Sequence, residues 1–375
     1  MSHEIRVAII GPLAPPAGGM AGQTRQLLDL LQADGVVSEV VRTNAPCWPR
    51  WIEQARGMRA IFRLLPYVKR LWIAAGRVTV FHVMANSGWA WHLFAAPAVW
   101  IAKLRRVRVI VNYRGGGAEA FLARAPGIVR RTLRAADLVA VPSAFLRSVF
   151  ERVGIDAKVI PNVVDLERFA PVADGTVARR GGPRFAIARN LEDIYDIPTA
   201  ITAFAQVHAL KRGARLTIAG TGPARAGILR QIAELELEEA VELPGALERD
   251  AMAQLYRSAD VVVNSSIVDN TPNFILEALA CGTPVVTTAA GGIPFLVRDR
   301  VTALLVRERD AAALAVAMME LLDDEELRER LVRNGLELVQ RFSWASVRPM
   351  WLREYMAEDD SARELAPMDS GSHRR

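Results

Sequence analysis

The stretch "DNTPNFILEALACGTPVVTT", Asp269 to Thr288, places two carboxylates, Asp269 and Glu277, eight positions apart. Thr271 can cap a helix with Pro272 at its first position, and Gly282 can stop it before a strand near Pro284. The free N–H groups of Asn273, Phe274 and Ile275 at that helix start form a ready anion site. Glu277 lies roughly 7 Å along the axis from Pro272, and helical side chains lean toward the N-terminus. Its carboxylate can therefore reach past the helix end and accept hydrogen bonds from sugar hydroxyls. Asp269 can do likewise from the loop. The same residues equally describe a half-buried helical acid paired with a basic neighbour, and this stretch alone does not choose.

Positioning such residues requires strands that end beside the helix start. Short β-rich apolar runs alternate with segments of helical period, the pattern of βαβ units around parallel sheets. In the first half they are "IRVAII" (Ile5 to Ile10), "VTVFHV" (Val78 to Val83), "VRVIVN" (Val107 to Asn112), "LVAVPS" (Leu138 to Ser143) and "AKVIPN" (Ala157 to Asn162). In the second they are "RFAIA" (Arg184 to Ala188), "ARLTIAG" (Ala214 to Gly220), "AVELPG" (Ala240 to Gly245), "DVVVNSS" (Asp260 to Ser266) and "TPVVTT" (Thr283 to Thr288). Two α/β domains follow, both doubly wound and Rossmann-like, over 1–170 and 171–344, with a ligand expected in the cleft that they face. "PVADGTVARRGGP" (Pro171 to Pro183) reads as the linker, 345–358 as a helix returning to the N-terminal domain, and 359–375 as a disordered tail.

Composition narrows the class. A chain of 375 residues with half of them hydrophobic is a folded protein of about two domains. Two cysteines, Cys47 and Cys281, are too few for a disulfide framework. "MSHEIRVAIIGP" reads as a first strand and not as a signal peptide, and the uncharged stretch Val78 to Ala102 holds His82, Asn86 and Pro97, so a strand, loop and helix are expected there. Residues 1–170 carry 23 Lys and Arg against 11 Asp and Glu, so the excess positive charge is local to the N-terminal half and points to an anionic partner.

"SADVVVNSSIVDNTPNFILEALACGTPVVTTAAGGIPFLV" resembles the C-terminal signature of family 4 glycosyltransferases, retaining enzymes of the GT-B fold that use nucleotide-sugar donors. Their hallmark is two acids separated by seven residues, usually both Glu; here they are Asp269 and Glu277. "IPNVVDLERF" resembles the family's interdomain segment, "LTIAGTGP" its donor-domain glycine turn and "PPAGGMAGQ" its N-terminal glycine loop. The resemblance implies Asp269, Glu277 and Arg189 as the residues of the chemistry. It puts the donor ribose on Glu277, the diphosphate near Arg189 and Asn190, and the sugar near Asp269 and the backbone of Pro272 to Ile275.

Glycine lets a backbone approach a ligand closely, so Gly18 and Gly19 suit a loop over a diphosphate, with Gly220 and Gly222 in a similar role. A plain tight turn is the alternative at each. Gly291 and Gly292 can present amides to the donor sugar. No resident metal or cofactor is implied, because this fold uses basic and backbone groups, and front-face attack assisted by the donor phosphate replaces a protein nucleophile.

Two departures stand out. Arg189 matches the family's Arg, but the Lys-Gly that should follow falls at Tyr195-Asp196, with Glu192 and Asp193 before it. Acids beside a diphosphate repel it, so these turn to solvent, which is the expectation, or a metal bridges them, or the donor binds differently. On the acceptor side, "NYRGGGAEAF" puts Tyr113 or Arg114 where relatives carry His-Gly, and His82 ends a neighbouring strand as either a catalytic or a structural histidine.

The remaining partner signal lies in 47–108, where Trp, Phe and Leu interleave with Arg and Lys at helical spacing. Such helices bind anionic lipid surfaces, or else pack their apolar faces on the sheet. The expectation is a cytoplasmic protein, peripheral at the inner face of the cell membrane, acting on a glycan or lipid-linked acceptor. Nucleic acid is not an expected partner, given the motifs. A catalytically impaired relative acting as a binding partner and a nucleotide-sugar epimerase are the rival readings.

Overall fold

A computed structural model describes residues 5–14, 19–45, 58–124, 127–172 and 181–357. Gly18, residues 173–180 of the expected linker, 47–57 of the basic-aromatic segment and the expected tail at 359–375 lie outside the described residues. The chain forms two units, 1–141 with 149–158 and 348–375, and 142–148 with 159–347.

The first unit is built on a sheet of six strands: β1 (Arg6–Gly11), β2 (Val37–Arg42), β3 (Val80–Ala85), β4 (Arg108–Tyr113), β5 (Leu138–Val141) and β6 (Lys158–Val159). Their order is β2-β1-β3-β4-β5-β6, so the direction of winding reverses between β1 and β3. Every residue of β3 is buried, as a strand covered by helices on both faces requires. The C-terminal helix Trp344–Met356 contributes its residues from 348 onward to this unit, with Trp351 and Tyr355 buried. Glu354 on that helix pairs with Lys158 Nζ at 2.5 Å, and Arg108 Nε donates to its carbonyl at 3.0 Å.

The second unit carries β7 (Arg184–Ala188), β8 (Arg215–Ala219), β9 (Val241–Gly245), β10 (Val261–Asn264), β11 (Val285–Thr288) and β12 (Leu304–Val306), in the order β12-β11-β10-β7-β8-β9. Its reversal falls between β7 and β10, which pair in parallel through Val261 and Phe185. One core joins helices Ile197–Leu210 and Ala311–Asp323 through Phe204, Leu314 and Met318. A second holds Tyr256, Phe274 and Ile275 of helices Arg249–Ser258 and Asn273–Ala280.

The boundary expected at 170 moves to 158/159. Val164 and Phe169 bury in the core of the second unit, and Val164 N–H donates to the Phe342 carbonyl at 2.9 Å. Strands β2 and β12 have no counterpart among the apolar runs. β2 is an edge strand broken by Ser38 and Glu39, and β12 is an edge strand of three residues.

Candidate active site

Ligands of open parallel sheets bind outside the carboxyl ends of the strands, where the strand order reverses. In the second unit that place is bounded by Arg189, directly after β7, and by the loop from Ser265 to Pro272 after β10. Buried polar contacts fix the loop. Asn264 donates to Thr287 Oγ1 (2.9 Å), Ser266 Oγ to Asn264 Oδ1 (2.6 Å) and Thr288 Oγ1 to the Ser266 carbonyl (2.6 Å).

Glycines hold these loops by close backbone approach. A Cβ on Gly292 would meet the Asn270 carbonyl at 2.0 Å and one on Gly291 the Asp269 carbonyl at 2.2 Å. The Gly292 N–H donates to the Asp269 carbonyl at 2.8 Å, so the amide expected to face a sugar instead anchors the acid's own loop. Gly220 and Gly222 press in the same way on the carbonyls of Arg189 and Leu191. The missing Cβ at both positions lets the loop after β8 lie against the segment that carries Arg189.

Arg189 Nη2 donates to Asp269 Oδ2 at 2.7 Å, and both side chains are largely buried. The Arg189 guanidinium lies 3.7 Å from the ring centroid of Tyr195 and 4.9 Å from that of Phe274. Asp269 Oδ1 accepts the Asn270 N–H at 2.9 Å. Burial raises the Asp269 carboxyl above its ordinary value, outweighing the opposing pull of Arg189. Arg189 Nε and Thr271 Oγ1 are buried with no hydrogen-bond partner among the described residues, which marks polar capacity left for a ligand.

The helix that follows is Asn273–Ala280, with Pro272 and not Thr271 at its cap position. No side chain caps it, so the expected Thr271 cap is corrected. The Ile275 N–H donates to the Pro272 carbonyl at 3.2 Å and its side chain is core, which removes Ile275 from the anion site. The amides of Asn273 and Phe274 remain at the helix start, and the Asn273 side chain accepts from Asn162 Nδ2 at 2.5 Å.

Glu277 sits one turn into this helix, where Tyr256 Oη donates to its Oε2 at 3.5 Å. Burial pushes its carboxyl up to about 7, with Arg249 and the Tyr256 hydroxyl pulling down and Asp165 pushing up. Burial, with Glu277 beside it, raises the Tyr256 hydroxyl well above its ordinary value, so it remains a proton donor.

Asn190 donates its side-chain amide to Glu192 at 3.2 Å, so in this arrangement it satisfies an acid and not a donor group. Of the acids replacing the family's cation, Asp193 is exposed, while Glu192 and Asp196 are half-buried. All three line a cavity of about 450 Å³ together with Arg230. Full solvent exposure is thus corrected for two of them. Among the described residues no group of three or more His, Cys, Asp or Glu is placed to hold a metal ion.

The first unit treats its expected residues differently. His82 is wholly buried. Asn112 Nδ2 donates to its Nε2 at 2.9 Å, leaving the Nδ1 proton to donate to Tyr355 Oη at 2.8 Å. Burial, with Arg114 nearby, pulls its pKa down to about 3, so it stays neutral. His82 therefore docks the C-terminal helix and is corrected from the acceptor side.

Tyr113 is also core, its hydroxyl 2.7 Å from Ser87 Oγ and its pKa pushed up to about 12 by burial. Arg114, at the end of β4, donates to Asn112 Oδ1 at 3.2 Å and to Gln23, and burial pulls its pKa down to about 10. Gly19 opens the helix Gly19–Ala33 and is exposed, with nothing within 4 Å of where a Cβ would lie.

Sequence reasoning named Tyr195 only as a departure from the family pattern, and passed over Tyr256 and Asn162. The signal for Tyr195 was present, an aromatic where a cation was expected. Tyr256 and Asn162 join the site only through contacts between distant segments.

Two parallel sheets of this winding in one chain define the GT-B architecture. Solved structures that share it include Anabaena HepE in complex with UDP and glucose, at TM-score 0.72 and 16% identity, covering 94% of this chain and 100% of that one. Another is sucrose-phosphate synthase from Thermosynechococcus elongatus, at TM-score 0.74 and 22% identity, covering 96% and 100%.

Residues 17–168 match the model for Glycosyltransferase Family 4, and residues 177–338 that for Glycosyl transferases group 1. The chain belongs to the family 4 glycosyltransferases, a family of transferase enzymes. It is similar to a D-inositol 3-phosphate glycosyltransferase of Nocardia farcinica, 31% identical over 64% of this chain but spanning only 57% of that relative's length. It is also similar to a phosphatidyl-myo-inositol mannosyltransferase of Mycobacterium leprae, 27% identical over 94% of this chain and 96% of the relative.

Proposed function

We propose that this chain is a retaining glycosyltransferase that moves a sugar from a nucleotide-sugar donor to a glycan or lipid-linked acceptor in polysaccharide or glycolipid assembly. The observation that carries this reading is Arg189, held 2.7 Å from Asp269 at the strand-order reversal of the second sheet. A planar guanidinium suits phosphate oxygens, and the adjacent amides of Asn273 and Phe274 add a helix N-terminus. A UDP- or GDP-linked donor would place its diphosphate there, its ribose hydroxyls on Glu277 and its sugar by Asp269.

In transfer, the acceptor oxygen bonds to the sugar's anomeric carbon as the bond to the diphosphate breaks, on the same face. The acceptor proton passes to an oxygen of the departing phosphate. Arg189 and the amides stabilise the charge that develops on the leaving group, the largest kind of contribution a preorganised site makes. No resident metal or cofactor is assigned to this step.

The acceptor reading includes a lipid surface. Leu65, Trp72 and Leu104 of the first unit are 67%, 43% and 71% exposed, and the Arg105 guanidinium lies 4.6 Å from the Trp72 ring. Exposed aromatics beside arginines favour an anionic membrane interface, here the inner face of the cell membrane. No described helix is long and apolar enough to cross a membrane.

The test is a panel of UDP- and GDP-sugars, followed by calorimetric binding and by release of nucleoside diphosphate with and without EDTA. Binding of one donor, with turnover that survives EDTA and is lost in Glu277→Ala, is the expected result. Absence of binding to every nucleotide sugar would overturn it, as would an absolute metal requirement for the metal-free step.

A further inference from the structure

The donor site of the second unit has an uneven balance of charge. Arg189 faces the carboxylate of Asp269, and Glu192, Asp193 and Asp196 follow within one loop. The second cation that the resemblance calls for is absent from that loop, where Tyr195 and Asp196 stand instead. A guanidinium paired with its own acid has to exchange that partner for phosphate oxygens to bind a diphosphate, and during the exchange it needs a hold that does not use its N–H groups.

Tyr195 is built to do so. It ends a 3₁₀ turn, Asp193–Tyr195, closed by Asp196 in a left-handed conformation (φ 43°). A non-glycine residue there is strained, and the surrounding contacts hold it in place. Asp196 Oδ2 accepts the Thr199 hydroxyl at 2.7 Å. Ser265 Oγ donates to the Tyr195 carbonyl at 2.9 Å, and the Ile267 N–H donates to the Ile194 carbonyl at 2.9 Å. The turn is thus pinned to the loop that carries Asp269, and the Tyr195 ring stays 3.7 Å from the guanidinium.

The contact is to the ring face, so it leaves the N–H groups at the rim of the guanidinium to other partners. One of them, Nη2, is on Asp269, and Nε is buried without a hydrogen-bond partner among the described residues. A ring quadrupole attracts a cation whatever its hydrogen-bond partners are. It can therefore keep Arg189 in place during an exchange of oxygens.

We propose that Tyr195 is a positioning residue for the donor diphosphate: its ring holds the Arg189 guanidinium in place while the N–H groups pass from Asp269 to phosphate oxygens. Tyr195 thus occupies the position of the second cation and acts by holding the first, with no charge of its own. The inference rests on the nucleotide-sugar reading above and adds a residue to it.

The experiment measures calorimetric affinity of the full chain for a nucleoside diphosphate and for the corresponding free nucleoside, in wild type, Tyr195→Phe and Tyr195→Leu. Loss of a desolvated cation–π contact corresponds to roughly tenfold weaker binding. Expected are a tenfold loss of diphosphate affinity in Tyr195→Leu, wild-type affinity in Tyr195→Phe and unchanged nucleoside affinity in all three. Should the leucine variant not fold, fluorinated phenylalanines at position 195 take its place, since they keep the shape and drain the ring's negative face. Diphosphate affinity should then fall with each added fluorine.

Equal diphosphate affinity in the leucine variant, no trend with fluorine, or equal losses for nucleoside and diphosphate would overturn the role of Tyr195. Failure of the wild type to bind any nucleotide would instead overturn the donor reading itself.

Discussion

Arg189 and Asp269 reach each other across the strand-order reversal of the second sheet, one directly after β7 and the other in the loop after β10, and close to 2.7 Å. Each makes the burial of the other tolerable. Arg189→Met strands a buried carboxyl and is expected to cost about 3 kcal/mol of stability. Arg189→Met combined with Asp269→Asn should recover more than half of that loss. Urea unfolding of the four proteins in a double-mutant cycle checks it, and a coupling below about 0.5 kcal/mol would contradict the pairing.

Glu277 gives a pH dependence of definite sign. Its carboxyl is raised by burial from 4.5 to about 7 in the folded protein, so between those values the folded state binds more protons than the unfolded one. This group's contribution to stability therefore declines as pH rises from 4.5 to 7. Glu277→Gln should remove that component of the decline. A ribose hydroxyl donates best to the carboxylate, so donor affinity should rise with pH and level off above 7, while the Glu277→Gln variant stays flat. Thermal midpoints and calorimetric titrations from pH 5 to 8 read both effects.

His82 and Tyr355 separate stability from chemistry. Tyr355→Phe leaves the buried His82 Nδ1 proton without its acceptor at 2.8 Å and is expected to cost about 1–3 kcal/mol. Nucleoside diphosphate affinity should not change, because the contact lies wholly in the first unit. A loss of nucleotide binding without a loss of stability would contradict the docking role.

Gly292→Ala tests the loop. The added Cβ would lie 2.0 Å from the Asn270 carbonyl, closer than side-chain atoms come to backbone, so the segment holding Asp269 must move. Donor affinity and stability should both fall, by more than for Gly19→Ala, whose Cβ has nothing within 4 Å.

Nine of the ten apolar runs fall on strands to within two residues at each end; the tenth, Ala157 to Asn162, starts one residue before the short β6 and runs three past its end. Buried parallel strands announce themselves by continuous Val, Ile and Ala, whereas β2 and β12 lie at sheet edges and are mixed or very short. The helix after Asp269 was legible from Pro272 and Gly282 to within a residue or two at each end. Its capping was not, because Thr271 has the right chemistry and the backbone places Pro272 at the cap. The fate of His82 was invisible for a different reason: its partner Tyr355 is 273 positions away. Contacts of that span depend on how the last helix packs, which no local spacing encodes.

The close approaches at Gly220, Gly222, Gly291 and Gly292 are all to main-chain atoms, so part of what holds these loops is indifferent to the side chains they carry. Side chains outside the network of Asn264, Ser266 and Thr288 are consequently open to replacement with the frame in place. Lengthening Asp269 to Glu would advance its carboxylate by one methylene, and under the proposed function the acid then meets a different hydroxyl of the donor sugar. A catalytic loop fixed in this way lets preference among sugars drift by single side-chain changes while the frame that positions them stays constant.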